Sequence, residues 1–277
     1  MTNAYDWSGP VGDVWAREWQ RTDRSFAGLS PHLNAAILAA APDRGLAIDL
    51  GCGAGETSIA LATARPALTV RGVDLSDGLI AIATDRAAGI ANLAFHVGDT
   101  AALDPATAAT LFVSRHGVMF FADPVAALTS IRRAASPGAA LVFSCFRAPD
   151  ANPWSTIVDA PSADAPVAAA GYAPGPFGFA DREATAAILA RAGWTDIEAV
   201  PIDYTYIAGA GPDPVADAVD FFAHIGPAAR ALADAEPDRR ADLLARLTSV
   251  LAAHETDGQI EFPAAAWIWT ARAGEPA

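Results

Sequence analysis

The chain has 277 residues, 52% of them hydrophobic, with a formal net charge of −14. That length supports one α/β domain with a substantial core, or one domain plus a lid. The 18 strongly basic residues are all arginine, and so acidic a surface disfavours phosphate backbones and anionic membranes, which sets nucleic acid aside as the expected partner.

Cys52 and Cys145 suggest no disulfide framework. The first residues lack a basic region followed by an apolar core, so no signal peptide is expected. No apolar run of ~20 residues occurs, so no membrane span is expected. The expectation is a cytoplasmic protein without a metal.

Residues 1–44 read as an N-terminal helical lid. Trp15 and Trp19 stand at i and i+4, the spacing of one helix face, with Trp7 upstream and Arg17, Arg21 and Arg24 interleaved. They form either an amphipathic helix capping the core or a cover over a ligand. A helix is predicted from Pro31 to Ala41 with Ser30 as its N-cap.

Ala47–Leu50 is a short apolar run with one acid, Asp49, and suits a buried strand. Gly51, Gly53 and Gly55 then turn the chain into an alanine-rich helix at 57–64. Strand, glycine turn and helix N-terminus together make a ligand site: the glycines admit close approach and positive φ, and the helix start offers free N–H groups. The dinucleotide pattern G-x-G-x-x-G is missed by one position. Asp49 at the same mouth would repel a pyrophosphate but suits a cationic amino group.

A second strand, 67–74, ends on Asp74, about 20 residues past the turn, where an acid can accept hydrogen bonds from two ribose hydroxyls. A helix follows at about 77–88. A third strand, 93–98, runs into Asp99 and Thr100. A fourth, 111–114, continues into Arg115, His116 and Gly117. Asp123-Pro124 starts a helix as N-cap and N1, Ser136-Pro137-Gly138 reads as a turn, and 139–146 is the fifth strand. This alternation implies a parallel sheet with right-handed crossovers and ligands at the strand carboxyl ends. Asp49, Gly51, Asp74, Asp99, Ser114 and Arg147 all fall at such ends.

From 148 to 180, prolines at 149, 153, 161, 166, 174 and 176 exclude long helices and predict a loop over the site. A helix at 182–192, a sixth strand at 194–207, a helical stretch at about 213–253 and a final strand at 264–272 complete the chain. The insert at about 212–258 is longer than an ordinary connection and reads as a substrate lid or homodimer surface.

D-x-G-x-G-x-G after a strand resembles motif I of the class I S-adenosylmethionine-dependent methyltransferases. Gly98-Asp99 resembles the family's third motif, whose acid or neighbouring backbone contacts the adenine amino group, and the block 114–146 resembles the family again. The resemblance covers about 45–147 and extends loosely to the closing strands. It is strongest to the small-molecule enzymes grouped with ubiquinone and menaquinone biosynthesis. It implies a Rossmann-like, doubly wound, mostly parallel seven-stranded α/β sheet with helical lid insertions. It divides the chain into a lid (1–44), a cofactor-binding core (45–147), a covering loop (148–180) and the completion of the sheet (181–277). The implied cofactor is S-adenosylmethionine, leaving as S-adenosylhomocysteine. Its implied contacts are Asp49, Gly51, Cys52, Gly53, Gly55, Asp74, Leu75, Asp99, Thr100 and Ser114, with Trp15 from the lid.

Two departures matter. Ala109-Thr110-Leu111 lacks an acid that members often carry at the start of the fourth strand. Ser114-Arg115-His116-Gly117 replaces the Asn-Pro-Pro-Tyr of the amide and adenine N-methyltransferases, which argues against nucleobase or glutamine acceptors. A small-molecule acceptor methylated on oxygen or carbon is favoured. His116 is the candidate base. Arg115, Arg147 and His224 are candidate acceptor contacts. The alternatives are a non-catalytic S-adenosylmethionine-binding regulatory protein, kept open by Thr110, and a nicotinamide-dependent dehydrogenase.

Overall fold

The computed structural model describes residues 7–157 and 171–274. Three helices open it: α1 (Pro10–Arg17), α2 (Trp19–Ser25) and α3 (Ser30–Ala40). The core follows as β1 (Gly45–Leu50), α4 (Glu56–Ala64), β2 (Leu68–Asp74), α5 (Asp77–Arg86), β3 (Leu93–Val97), β4 (Ala109–Arg115), α6 (Pro124–Arg133) and β5 (Ala135–Phe146). Then come α7 (Arg182–Arg191), β6 (Trp194–Ala210), α8 (Pro214–His224), α9 (Pro227–Ala233), α10 (Pro237–Ala252), β7 (Glu255–Thr256) and β8 (Gln259–Ala273).

The sheet order is β3-β2-β1-β4-β5-β8-β6, with the two-residue β7 paired to β8 as an eighth strand. The first five strands are parallel, and β8 runs antiparallel to both β5 and β6. The predicted doubly wound sheet is therefore present. Right-handed crossovers put α4 and α5 on one face and α6 on the other, because the chain steps outward from β1 in opposite directions. The direction changes between β1 and β4, so a crevice opens at their carboxyl ends.

Local chemistry explains the boundaries. Ala47, Ile48 and Leu50 are fully buried, as a central parallel strand requires. Ser76, Asp123, Asp181 and Asp213 each cap a helix by accepting a backbone N–H. Ser30 does not act as a cap: it is the first residue of α3, and no side chain caps that end. Trp15 and Trp19 do not share one helix, because the chain breaks at Glu18 between α1 and α2. Residues 136–138 form an irregularity within β5, where the pairing jumps from Ala109↔Ala135 to Leu111↔Ala140. The prolines at 161 and 166 lie outside the described residues. No helix among the described residues is long and apolar enough to cross a membrane.

The N-terminal helices are fastened at both ends. Arg86 pairs with Asp23 at 2.9 Å, donates to the Ala54 carbonyl at 2.7 Å and lies 4.2 Å over the Trp19 ring. Arg21 and Arg24 both pair with Asp217 of α8. Gly12 and Gly78 let α1 approach α5 closely; a Cβ on Gly12 would come within 2.8 Å of Ser76 Oγ.

Candidate functional site

A cavity of about 450 Å³ opens at the carboxyl rim of the parallel strands, beneath α1 and α2. The glycine turn forms its floor. Gly51 and Gly53 line it in left-handed conformation, at φ 65 and 53. A Cβ on Gly53 would meet no protein atom within 4 Å, whereas one on Gly117 would stand 2.6 Å from the Leu50 carbonyl oxygen. Gly53→Ala is therefore expected to keep the fold, at about 1 kcal/mol of backbone strain, while weakening ligand binding. Gly117→Ala is expected to lower stability itself by about 1–3 kcal/mol, and urea unfolding beside calorimetric titration separates the two effects.

Asp49 is buried in β1. Its Oδ2 accepts a hydrogen bond from Ser58 Oγ at 2.6 Å, and its Oδ1 has no partner among the described residues. Burial pushes its carboxyl up to about 7, against the opposing Ser58 hydrogen bond and the Arg115 charge. Asp74 closes β2; its two oxygens accept from the Gly53 and Ser76 amides at 2.9 and 3.0 Å. Burial raises its pKa too, against those amide bonds. Each carboxylate oxygen keeps a further lone pair. Asp99 lies beyond β3 and accepts from the Ala101 amide at 2.8 Å, while its neighbour Thr100 is buried. Leu75, Cys52 and Trp15 also line the cavity. The Cys52 thiol is pushed up by burial and then by Asp49 and Asp74, so it stays protonated.

His116 follows β4 at φ 60, an uncommon conformation for a side-chain-bearing residue. Two bonds to one residue of β5 hold it there. Its amide donates to the Ser144 carbonyl at 3.1 Å, and its Nδ1 lies 2.9 Å from Ser144 Oγ. The ring packs between Phe26 and Phe146, with centroids at 4.6 and 4.2 Å. Nε2 has no partner among the described residues. Burial first, and Arg115 second, hold the imidazole well below its usual pKa, so it is neutral at physiological pH.

The remaining candidate residues separate. Arg115 lines the cavity but is committed to Asp23 at 2.6 Å and Glu56 at 3.2 Å. Ser114 is fully buried off the wall, donating to the Leu50 carbonyl and accepting from the Gly117 amide. Gly55 is also off the wall; a Cβ there would strike Phe95 at 2.7 Å, so its absence serves packing. Arg147 lies outside the cavity, paired with Asp203 at 2.7 Å and resting over Trp267. His224 is likewise outside and half-exposed on α8, where its Nδ1 is 2.8 Å from the Asp220 carbonyl. Thr110 stands at the opposite end of β4, bonded to the Leu46 carbonyl, so it has no bearing on the rim.

Sequence reasoning missed the aromatic half of the cavity: Phe26, Phe146, Trp154, Tyr206 and Phe221. They come from separate segments, from Phe26 just beyond α2 to Phe221 in α8, and no local pattern unites them. It also missed Ser58 and Ser144, whose roles depend on pairing across the fold.

Residues 44–172 match the family model described as a methyltransferase domain. Over that stretch the chain is similar to a methyltransferase domain. Solved structures share its fold at low identity. The YcgJ protein from Bacillus subtilis aligns over 88% of this chain and 98% of its own, with 16% identity and TM-score 0.55. Phosphoethanolamine N-methyltransferase 2 from Haemonchus contortus, solved with S-adenosyl-L-methionine, aligns over 99% of this chain and 61% of its own, at 16% and 0.57. The cyclase SpnF aligns over 89% and 80%, at 19% and 0.52. The rim cavity offers the features an adenosyl amino acid requires: an orphaned buried carboxylate oxygen, an open glycine cradle and acids ending successive strands.

Proposed function

We propose that the protein transfers a methyl group from S-adenosylmethionine to oxygen or carbon of a small organic acceptor. The carrying observation is a rim cavity lined by the glycine turn, Asp49 and Asp74 and also by His116, with Asp49 Oδ1 and His116 Nε2 both buried and without a partner among the described residues. A volume of about 450 Å³ lies toward the low end for small-molecule pockets, yet this one must hold cofactor and acceptor together. The acceptor is therefore small.

Asp49 holds the cofactor's ammonium, Asp74 its ribose hydroxyls, and the Asp99–Thr100 segment its adenine edge. Gly51 and Gly53 give the backbone approach, with Cys52 and Leu75 beside them and Trp15 as cover. Asp49 at the turn also opposes a dinucleotide pyrophosphate, which disfavours the dehydrogenase alternative. When bound, S-adenosylmethionine supplies an electrophilic methyl group, whose carbon–sulfur electron pair returns to sulfur as the acceptor forms its new bond. The chain's own task is to align the acceptor, exclude water and receive its proton. The aromatic wall aligns and excludes. His116 Nε2, neutral and without a partner among the described residues, takes the proton. The imidazolium so formed appears as the neighbouring sulfonium charge is lost, so the cavity never carries both.

Ser144 acts through His116 as a positioning residue. Ser144→Ala leaves Nδ1 unpaired and the ring free to turn. We expect kcat to fall about tenfold, from the cost of an unsatisfied buried group, with S-adenosylhomocysteine affinity unchanged and the acid limb of the pH profile displaced. A fall in stability alone, with kcat and the profile intact, would remove Ser144 from this role.

Calorimetric titration with S-adenosylhomocysteine and with NAD tests the reading as a whole. Binding of the first and not the second is expected. No binding of S-adenosylhomocysteine at about millimolar concentration, where affinity is only about −4 kcal/mol, would overturn it.

A further inference from the structure

The acceptor end of the cavity is built from flat rings. Trp154 and Tyr206 stack at 4.9 Å with planes 6° apart. Phe26 and Phe146 stack at 5.8 Å and 27°, with His116 against both. Such faces favour a planar partner by offset or edge-on contact and gain less from a puckered ring or loose chain.

Charge narrows the choice. Among the described residues lining the cavity, Arg115 is the one guanidinium, and two carboxylates already occupy it. The other charged side chains on the wall are acids: Asp23, Asp49, Asp74, Asp99 and Asp123. A carboxylate or phosphate on the acceptor would find no free cation and would meet like charge in a partly desolvated place.

Proton chemistry narrows it again. An amine reaches neutral pH as an ammonium, with pKa about 10, and has no lone pair until that proton leaves. The buried His116 is a poor base for removing it beforehand. A phenol keeps a lone pair on its protonated oxygen, so attack and proton loss can proceed together. It is also far more acidic than an aliphatic alcohol, which suits a weak base.

Phe146 also meets Trp154 at 4.9 Å and Phe26 meets Tyr206 at 6.5 Å, so the two pairs form one continuous aromatic wall. We propose that the acceptor is an uncharged, planar aromatic molecule with a ring hydroxyl, seated against this wall with its O–H directed toward His116. This rests on the methyl-transfer reading above. In the step, the phenol oxygen bonds to the methyl carbon, the carbon–sulfur pair stays on sulfur, and the phenol proton moves to Nε2, giving an aryl methyl ether.

The test uses the full chain and three probes of similar size: methyl para-hydroxybenzoate, para-hydroxybenzoate, and the ring-saturated analogue of the ester. S-adenosylhomocysteine is titrated first; its failure to bind overturns the methyl-transfer reading and this inference with it. On the loaded protein, the aromatic ester is expected to bind at least about tenfold more tightly than either other probe, a difference of about 1.4 kcal/mol. With S-adenosylmethionine carrying a labelled methyl group, label is expected in the aryl ether. Three results overturn the inference while leaving methyl transfer standing: the carboxylate binds best, the saturated ester binds as well as the aromatic one, or the loaded protein binds none of the three.

Discussion

Replacing His116 with Asn is expected to lower kcat for methyl transfer by about 100- to 1,000-fold, within the usual range for removing a positioned proton acceptor. Asn is the substitution to use, because the residue sits at φ 60 and Asn tolerates that region better than other side chains. It keeps a polar group near Ser144 but cannot become cationic. Cofactor affinity should stay within about twofold, since the turn, Asp49 and Asp74 are untouched. Single-turnover rates beside S-adenosylhomocysteine titrations make the comparison. A variant with near-normal turnover would show that the proton leaves by another route. The depressed imidazole pKa has a second consequence: at saturating cofactor, the acid limb of kcat should lie below 6.5, because the ring is already neutral there.

Asp49→Asn is expected to weaken S-adenosylhomocysteine binding by about 10- to 100-fold, the value of one hydrogen bond between charged groups. The wild type should show the same interaction through pH. In the ligand-free fold the carboxyl titrates at about 7, raised by burial. An ammonium binds the ionised form, so protons compete with the ligand as pH falls through that value. Affinity should drop by roughly an order of magnitude between about pH 7.5 and about pH 6, and the Asn variant should lose this dependence. The sign for stability is opposite. Unfolded, the group ionises near 4; folded, near 7. Its contribution is therefore most favourable below about pH 4 and is lost as pH rises to about 7. At neutral pH, Asp49→Asn should make the ligand-free fold more stable while it binds less. Wild-type affinity that is flat across this range would sink the assignment.

The carboxyl rim was legible because its parts are local. A strand, a turn that demands positive φ and an acid at each strand end are short patterns, and parallel topology brings them together without further information. The helix cap at Asp123 was legible for the same reason. The acceptor end was not. Trp154 comes from a proline-rich loop, Tyr206 from a closing strand, Phe26 from beyond α2 and Phe221 from the insert. Each looks like an ordinary core residue until the fold sets it beside the others. Arg147 shows the converse error. Its place at a strand end is right, but side-chain direction and a nearby Asp203 take it elsewhere, which spacing alone does not reveal. Trp15 and Trp19 both reach the cavity, though from two helices that meet at Glu18 rather than from one face.

Gly117 rests directly against Gly51: a methyl added to Gly51 would be 3.1 Å from the Gly117 Cα, and one added to Gly117 would be 3.0 Å from the Gly51 carbonyl oxygen. The glycine turn proposed to hold the donor and the loop that carries His116 thus touch main chain to main chain. The span across which a one-carbon unit must travel is gauged by peptide geometry, which few substitutions alter. The rings around the acceptor can be exchanged for others without recalibrating that span, so one scaffold can be retuned to new acceptors while its reach stays fixed.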